Sequence, residues 1–157
     1  MNTKSDSPRV FIPPPFFYIL ILIAGILIQK EFPINAGLFY SPVVKGAGII
    51  LLISSLFFLG RSLRQFFATK NTLITFKPAT SLQTGGIYTV TRNPMYLGLA
   101  IVYLGLTLLI GNFWNLILFP LLIIIVQEYI IKREERYLER AFGQGYKEYK
   151  QKVRRWI

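Results

Sequence analysis

The stretch at residues 84–98, TGGIYTVTRNPMYLG, joins a polar loop to the start of an apolar block. Asn93 followed by Pro94 predicts a helix start, because asparagine is a preferred N-cap and proline suits the first helical turn. The free amides of a helix start favour a carboxylate or a phosphate, and Arg92 adds a permanent positive charge beside them. The stretch therefore indicates either an anion-binding site or a plain loop-to-helix junction at a membrane surface.

Four apolar blocks surround this stretch and predict a membrane protein. The sequence has 157 residues, 53% of them hydrophobic, and the apolar residues come in runs that a bilayer accepts. Each run is about long enough to cross a bilayer as a helix rising about 1.5 Å per residue. The first run is predicted to be a retained helix rather than a signal peptide, because no small-residue cleavage site follows it. The prediction is an all-α integral membrane protein, one domain over residues 1–157, with four transmembrane helices at residues 11–28, 43–60, 94–110 and 113–131.

A short turn joins the third and fourth blocks. Gly111 and Asn112 leave room only for a tight connection, so these helices are predicted to be antiparallel neighbours in a transmembrane hairpin. Gly98 and Gly105 would let the third helix pack closely against a partner, as small residues do in membrane helices.

Basic residues concentrate on one side of this topology. The chain carries 18 Lys and Arg against 7 Asp and Glu, a formal net charge of +11. Most of the basic residues lie in the loop at residues 61–93 and in the tail at residues 132–157. Four helices put the loop, the helical tail and both termini on the same side, which the positive-inside rule makes cytoplasmic. In a membrane protein such charge reports this face and its anionic headgroups, so nucleic acid is not a predicted partner.

The sequence contains no cysteine and no histidine. Disulfides, thiolate nucleophiles, imidazole bases and metal sites built from these residues are therefore excluded. No metal is predicted, and most hydrolase and zinc mechanisms are ruled out with it.

The tail contains acids, glycines and aromatic residues whose roles the sequence leaves open. Glu128 lies near the end of the fourth block and is either a functional acid or the partner of Lys132, one turn later; the pairing is favoured. Gly143 and Gly145 predict a break, with a second short helix from Tyr146 onward. Aromatic residues of the tail could form an interfacial belt: Tyr137, Tyr146, Tyr149 and Trp156.

Two motifs resemble a known family. RNPMYLG follows a T-G-x-Y-type turn, and one hairpin later the tail reads EExxLxxxFGxxYxxYxxxVxRW over residues 134–156. Together they resemble the superfamily of isoprenylcysteine carboxyl methyltransferases and phospholipid methyltransferases, which are integral membrane enzymes. The resemblance covers roughly residues 63–156. Asn93 stands where many members have histidine, and asparagine at this position can still cap the helix.

The resemblance implies S-adenosylmethionine as the cofactor, enclosed between the central loop, the hairpin and the tail. Arg92 is added on physical grounds, because its guanidinium suits the cofactor's carboxylate. Glutamates suit the ribose hydroxyls and the ammonium group, and tyrosine faces suit the sulfonium. No catalytic residue is predicted, since positioning and desolvation can supply most of the acceleration. The predicted cofactor-binding residues are Thr80, Ser81, Leu82, Gln83, Tyr88, Arg92, Asn93, Pro94, Met95, Tyr96, Glu134 and Glu135.

The resemblance also implies a lipophilic or membrane-partitioned acceptor, a carboxylate or thiol. In the carboxyl methyltransferases an arginine one turn before the first glutamate is expected to hold the acceptor's carboxylate. That position is Ile130 here, so Arg133 becomes the candidate substrate residue. One alternative is N-methylation of a phospholipid amine. A second, of another class, is a non-catalytic membrane protein that binds lipid.

Overall fold

The computed structural model describes residues 7–8, 10–69, 79 and 81–157, and in this part of the chain every regular element is helical. The predicted all-α class is confirmed for these residues. A π-helical turn, Val126–Ile131, carries the chain from the fourth α-helix into the fifth without a break. The helices are α1 (Pro14–Glu31), α2 (Pro42–Ala68), α3 (Pro94–Ile110), α4 (Phe113–Ile125) and α5 (Lys132–Lys152), with short 3-10 turns at Gly37–Tyr40 and Gly86–Thr89.

Three helical runs of the described residues are long and apolar enough to cross a membrane: Pro14–Glu31, Pro42–Ala68 and Phe113–Lys152. The last run combines α4, the π-helical turn and α5. Helix α3 is also apolar but has 17 residues, about 26 Å of helix, at the short end of what a bilayer requires. The count of four transmembrane helices therefore stays a prediction.

Two predicted boundaries were wrong. The first block was placed at residue 11, but α1 begins at Pro14, because a residue followed by proline is pushed away from helical geometry and Pro13 is extended. The loop predicted from residue 61 begins only after Ala68. Residues 61–68 contain no glycine or proline, so α2 continues beyond its apolar run.

Helices α2 and α3 approach each other through glycines. A Cβ atom added at Gly105 would lie 3.0 Å from the carbonyl oxygen of Gly48, and one added at Gly48 would lie 3.1 Å from the carbonyl oxygen of Gly105. A Cβ atom at Gly98 would lie 2.7 Å from Cγ of Leu59. The prediction that Gly98 and Gly105 allow close packing is confirmed.

A polar cluster fixes α1 against α4. The turn between α3 and α4 contains Gly111, whose φ of 76° favours glycine. The next residue, Asn112, caps α4 by accepting a hydrogen bond from the amide of Asn115 (3.2 Å) and donates to the carbonyl of Gly25 (3.1 Å). The hydroxyl of Tyr103 on α3 donates to the carbonyl of Asn115 (3.0 Å). These hydrogen bonds join three helices at the end of the bundle away from residues 84–98.

We expect Gly105→Ala to destabilise the protein by about 1–3 kcal/mol, because the added methyl group would push α3 away from α2. Thermal unfolding in detergent would show this as a lower midpoint. Gly46→Ala is the matched control, since a Cβ atom there meets nothing within 4 Å. Equal midpoints for the two variants would contradict the close approach of α2 and α3.

Candidate functional site

The residues after α5, here called the 153–157 segment, lie across the start of α3. The carbonyl of Arg154 accepts a hydrogen bond from the backbone amide of Arg92 at 3.0 Å. The carbonyl of Arg155 accepts one from the Thr91 hydroxyl at 3.0 Å and one from the side-chain amide of Asn93 at 2.9 Å. Asn93 is the residue before the helix, but its side chain does not cap α3. The predicted side-chain cap is therefore wrong, because Arg155 takes that amide.

Glu135 is a buried carboxylate shared by two arginines. It accepts hydrogen bonds from Nε and Nη2 of Arg155 at 3.0 and 2.7 Å. Nη2 of Arg92 lies 3.2 Å from Oε1 of Glu135, and both of these side chains are 8% exposed. The hydrogen bonds to Glu135 raise the pKa of Arg155 above its ordinary value. The cluster keeps one net positive charge, because two guanidinium groups face one carboxylate.

The Arg92 guanidinium has unused hydrogen-bonding capacity. Its Nε and Nη1 atoms are buried and have no hydrogen-bond partner among the described residues. A buried donor without a partner costs about 1–3 kcal/mol, and more for a charged group. An anion beside the guanidinium plane would satisfy one of these donors, since Nε and Nη1 point from different edges of the group.

A second carboxylate, Glu134, lies next to this cluster and is held by Tyr96. The Tyr96 hydroxyl donates to Oε1 of Glu134 at 2.6 Å. The Tyr96 carbonyl accepts from the hydroxyl of Tyr18 on α1 at 3.0 Å. Arg92 precedes α3 by two residues and Tyr96 lies in its first turn, so a cationic group and a carboxyl group are both held near the start of α3.

Tyr88 is buried in the 3-10 turn that precedes α3. Its carbonyl accepts a hydrogen bond from the Tyr149 hydroxyl at 2.7 Å. Burial, followed by the negative charge of Glu134, raises the pKa of Tyr88 well above its ordinary value. The phenol is therefore neutral at physiological pH and offers a π face and a hydroxyl rather than a phenolate.

Gln65 on α2 orders the loop that the resemblance assigned to the cofactor. Its side-chain amide donates to Oε1 of Gln83 at 3.1 Å and to the carbonyl of Gly85 at 3.0 Å. Gln83 in turn donates to the Ser81 hydroxyl at 2.9 Å. Leu82 packs against the cluster that contains Tyr88 and Tyr149. Gln65 was missing from the predicted site because residues 61–68 were read as loop, and the predicted Thr80 lies outside the described residues.

The aromatic residues of the tail do not form an interfacial belt. Tyr137, Tyr146 and Tyr149 are buried, and the hydroxyl of Tyr137 accepts from the amide of Ala79 at 2.8 Å. The helix break at Gly143 is confirmed by a φ of 54° inside α5. An interfacial belt of these tyrosines was the wrong interpretation, because Tyr137 contacts Ala79 while Tyr146 and Tyr149 pack in one cluster with Tyr88.

Three further residues that the sequence singled out, Glu128, Ile130 and Arg133, lie outside the Arg92 cluster. Glu128 pairs with Lys132 at 2.7 Å, and both side chains are about half exposed, which confirms the favoured pairing. Ile130 is fully buried in the core. The Arg133 guanidinium stacks on the ring of Tyr129, 4.2 Å from its centroid. Arg133 therefore lies beside the π-helical turn rather than in the Arg92 cluster.

Comparison with known proteins gives one family and two relatives. The model of the phospholipid methyltransferase family matches residues 43–145. An uncharacterized protein of Haemophilus influenzae is 44% identical over 63 residues, which are 40% of this chain and the whole of that protein. Protein-S-isoprenylcysteine O-methyltransferase of Schizosaccharomyces pombe is 42% identical over 72 residues, 46% of this chain but only 30% of that enzyme. No solved structure matches the chain.

We expect Glu135→Gln to lower the free energy of unfolding by about 3–5 kcal/mol, because two guanidinium groups would lose their buried counter-charge. Glu139→Gln is the matched control. Glu139 pairs with Lys150 at 3.6 Å, and both side chains are well exposed. Loss of this pair should lower the free energy of unfolding by less than about 1 kcal/mol. Equal thermal midpoints in detergent would show that the buried cluster does not stabilise the fold.

Proposed function

Since the chain belongs to the phospholipid methyltransferase family, we propose that it transfers a methyl group from S-adenosylmethionine to a lipophilic acceptor held in the membrane. The observation that carries this proposal is the Arg92 guanidinium just before α3, which has two buried donors without a partner among the described residues. Tyr96, in the first turn of α3, donates its hydroxyl to the carboxyl group of Glu134. A guanidinium group and a carboxyl group near the start of α3 complement the carboxylate and the ammonium group of an amino acid.

The residues present fit the cofactor's functional groups. Nε or Nη1 of Arg92 would bind the carboxylate, together with first-turn amides of α3 that the Asn93 side chain leaves uncapped. Glu134 would accept hydrogen bonds from the ammonium group or the ribose. The ordered loop before α3 contains Ser81, Leu82, Gln83 and Tyr88. Helix α3 then begins with Pro94 and Met95.

When bound, S-adenosylmethionine supplies a methyl group on a positively charged sulfur. The chemistry it would supply is an in-line displacement at the methyl carbon, with the acceptor's lone pair as nucleophile and the neutral sulfide as leaving group. The chain's own residues would hold the two reactants in line and exclude water. A thiolate or carboxylate acceptor needs no general base, which suits a chain without histidine or cysteine.

An amine acceptor, as in a phospholipid amine N-methyltransferase, is the second candidate. The family model's description favours it, and so does Ile130, a fully buried apolar residue where a carboxylate-binding arginine was expected. A proton must then leave the amine. Glu128 is poorly suited to take it, because Lys132 occupies its carboxylate.

We further propose a four-helix topology with α3 and α4 as a membrane hairpin and both termini in the cytoplasm. Basic residues of the described chain cluster at the α2 end, the start of α3 and α5, on one side of the apolar helices. The cofactor would arrive from the cytoplasm at this side. The acceptor would enter from the bilayer.

Calorimetric titration of detergent-purified protein with S-adenosylmethionine tests the cofactor site. We expect micromolar binding, roughly −8 kcal/mol, that Glu134→Ala abolishes. Glu148→Ala is the control, because Glu148 is exposed at the far end of α5. A well-folded protein that does not bind S-adenosylmethionine would instead support a non-catalytic membrane protein that binds lipid.

We expect Arg133→Ala to raise the KM of an anionic acceptor several-fold and to leave cofactor affinity unchanged, because Arg133 is assigned to the acceptor and not to the Arg92 cluster. Arg136→Ala is the matched control, an exposed arginine on the same helix. A parallel loss of cofactor and acceptor affinity in Arg133→Ala would refute this assignment.

A further inference from the structure

The 153–157 segment returns the chain to the start of α3 and places Arg155 beside Glu135. Helix α5 ends at Lys152, and Val153 is extended with φ −122° and ψ 133°. The carbonyls of Arg154 and Arg155 then take three hydrogen bonds from residues 91–93. The Trp156 indole donates to Gln127 at 3.2 Å and anchors the far side of the segment. Arg155 thus has a defined position next to residues that lie about sixty positions earlier in the chain.

Glu135 is occupied mainly by Arg155. Two parallel hydrogen bonds from Nε and Nη2 form the planar pairing that guanidinium and carboxylate groups favour. Arg92 approaches only Oε1, with Nη2. Three of about four acceptor positions of the carboxylate are therefore used by the protein itself. Little capacity remains at Glu135 for a bound ligand.

Arg155 and Arg92 compete for the same carboxylate. Without Arg155, Glu135 would have Arg92 as its remaining charged partner, and the Arg92 guanidinium could turn to pair with both oxygens. That pairing would consume a donor that now lacks a partner. It would also change the net charge of the cluster from positive to neutral, which weakens attraction for an anion.

On the basis of the proposed function, we propose that Arg155 is a positioning residue of the cofactor site. By occupying Glu135 it keeps a buried donor of Arg92, Nε or Nη1, available for the carboxylate of S-adenosylmethionine. Glu135 belongs to this supporting layer and does not itself touch the cofactor.

Two ligands that differ in one group test the inference by calorimetry: S-adenosylmethionine and its decarboxylated analogue. We expect Arg155→Ala to weaken the binding of S-adenosylmethionine at least tenfold. The same substitution should weaken the binding of the decarboxylated analogue less than threefold. Arg154→Ala is the matched control, because Arg154 has an exposed side chain and uses only its carbonyl to hold Arg92. It should bind both ligands as the wild type does. Arg155→Lys, which retains the charge but loses the planar pairing, should show an intermediate loss.

An equal loss of both ligands in Arg155→Ala and Arg155→Lys would overturn the inference, because a purely structural role weakens every ligand alike. Unchanged binding of both ligands would overturn it as well. Should Arg155→Ala fail to fold, the ligand comparison on Arg155→Lys decides by the same criterion. A folded wild type that binds neither ligand would overturn the proposed function and this inference with it.

Discussion

A buried carboxylate between two guanidinium groups connects the parts of the chain that form the candidate site. Glu135 comes from α5, Arg92 from the start of α3, and Arg155 from the segment after α5. Charges this deeply buried require partners, since an unpaired one would be costly to remove from water. Their pairing therefore ties the loop, α3 and the tail into one arrangement. Two guanidinium groups share one carboxylate, so these three side chains together carry one net positive charge.

The membrane imposes the complementary constraint on the other half of the molecule. Backbone polar groups in a bilayer must be satisfied within the chain, which leaves helices as the available spanning elements here. Apolar side chains supply little attraction between helices in lipid, so glycines that allow close approach carry much of the packing. Gly48, Gly98 and Gly105 do this for α2 and α3. Hydrogen bonds among Gly25, Asn112 and Asn115 hold α1 against α4.

Sequence reasoning succeeded where the signal was local and failed where it depended on a distant partner. The helix start at Pro94, the break at Gly143 and the Glu128–Lys132 pair each arise within a few residues. The end of α2 was misplaced because helical geometry continues past the apolar run, and Gln65 was overlooked with it. Asn93 was expected to cap its own helix, but a carbonyl 62 residues away takes its amide. The tail tyrosines, for which an interfacial belt was one interpretation, are buried instead.

The amino-acid sequence by itself determined the helical class, the approximate positions of the apolar runs and the two motifs that point to the family. These properties follow from hydropathy, from the placement of glycine and proline, and from residue order. None of them requires knowledge of the tertiary contacts. Only the tertiary structure decided which of the neighbouring acids Glu134 and Glu135 pairs with arginines and which is held by Tyr96. The tertiary structure also revealed that two buried donors of Arg92 have no partner among the described residues. The physical reason is that a charged side chain takes its role from the atoms around it, and those atoms come from segments far apart in the chain.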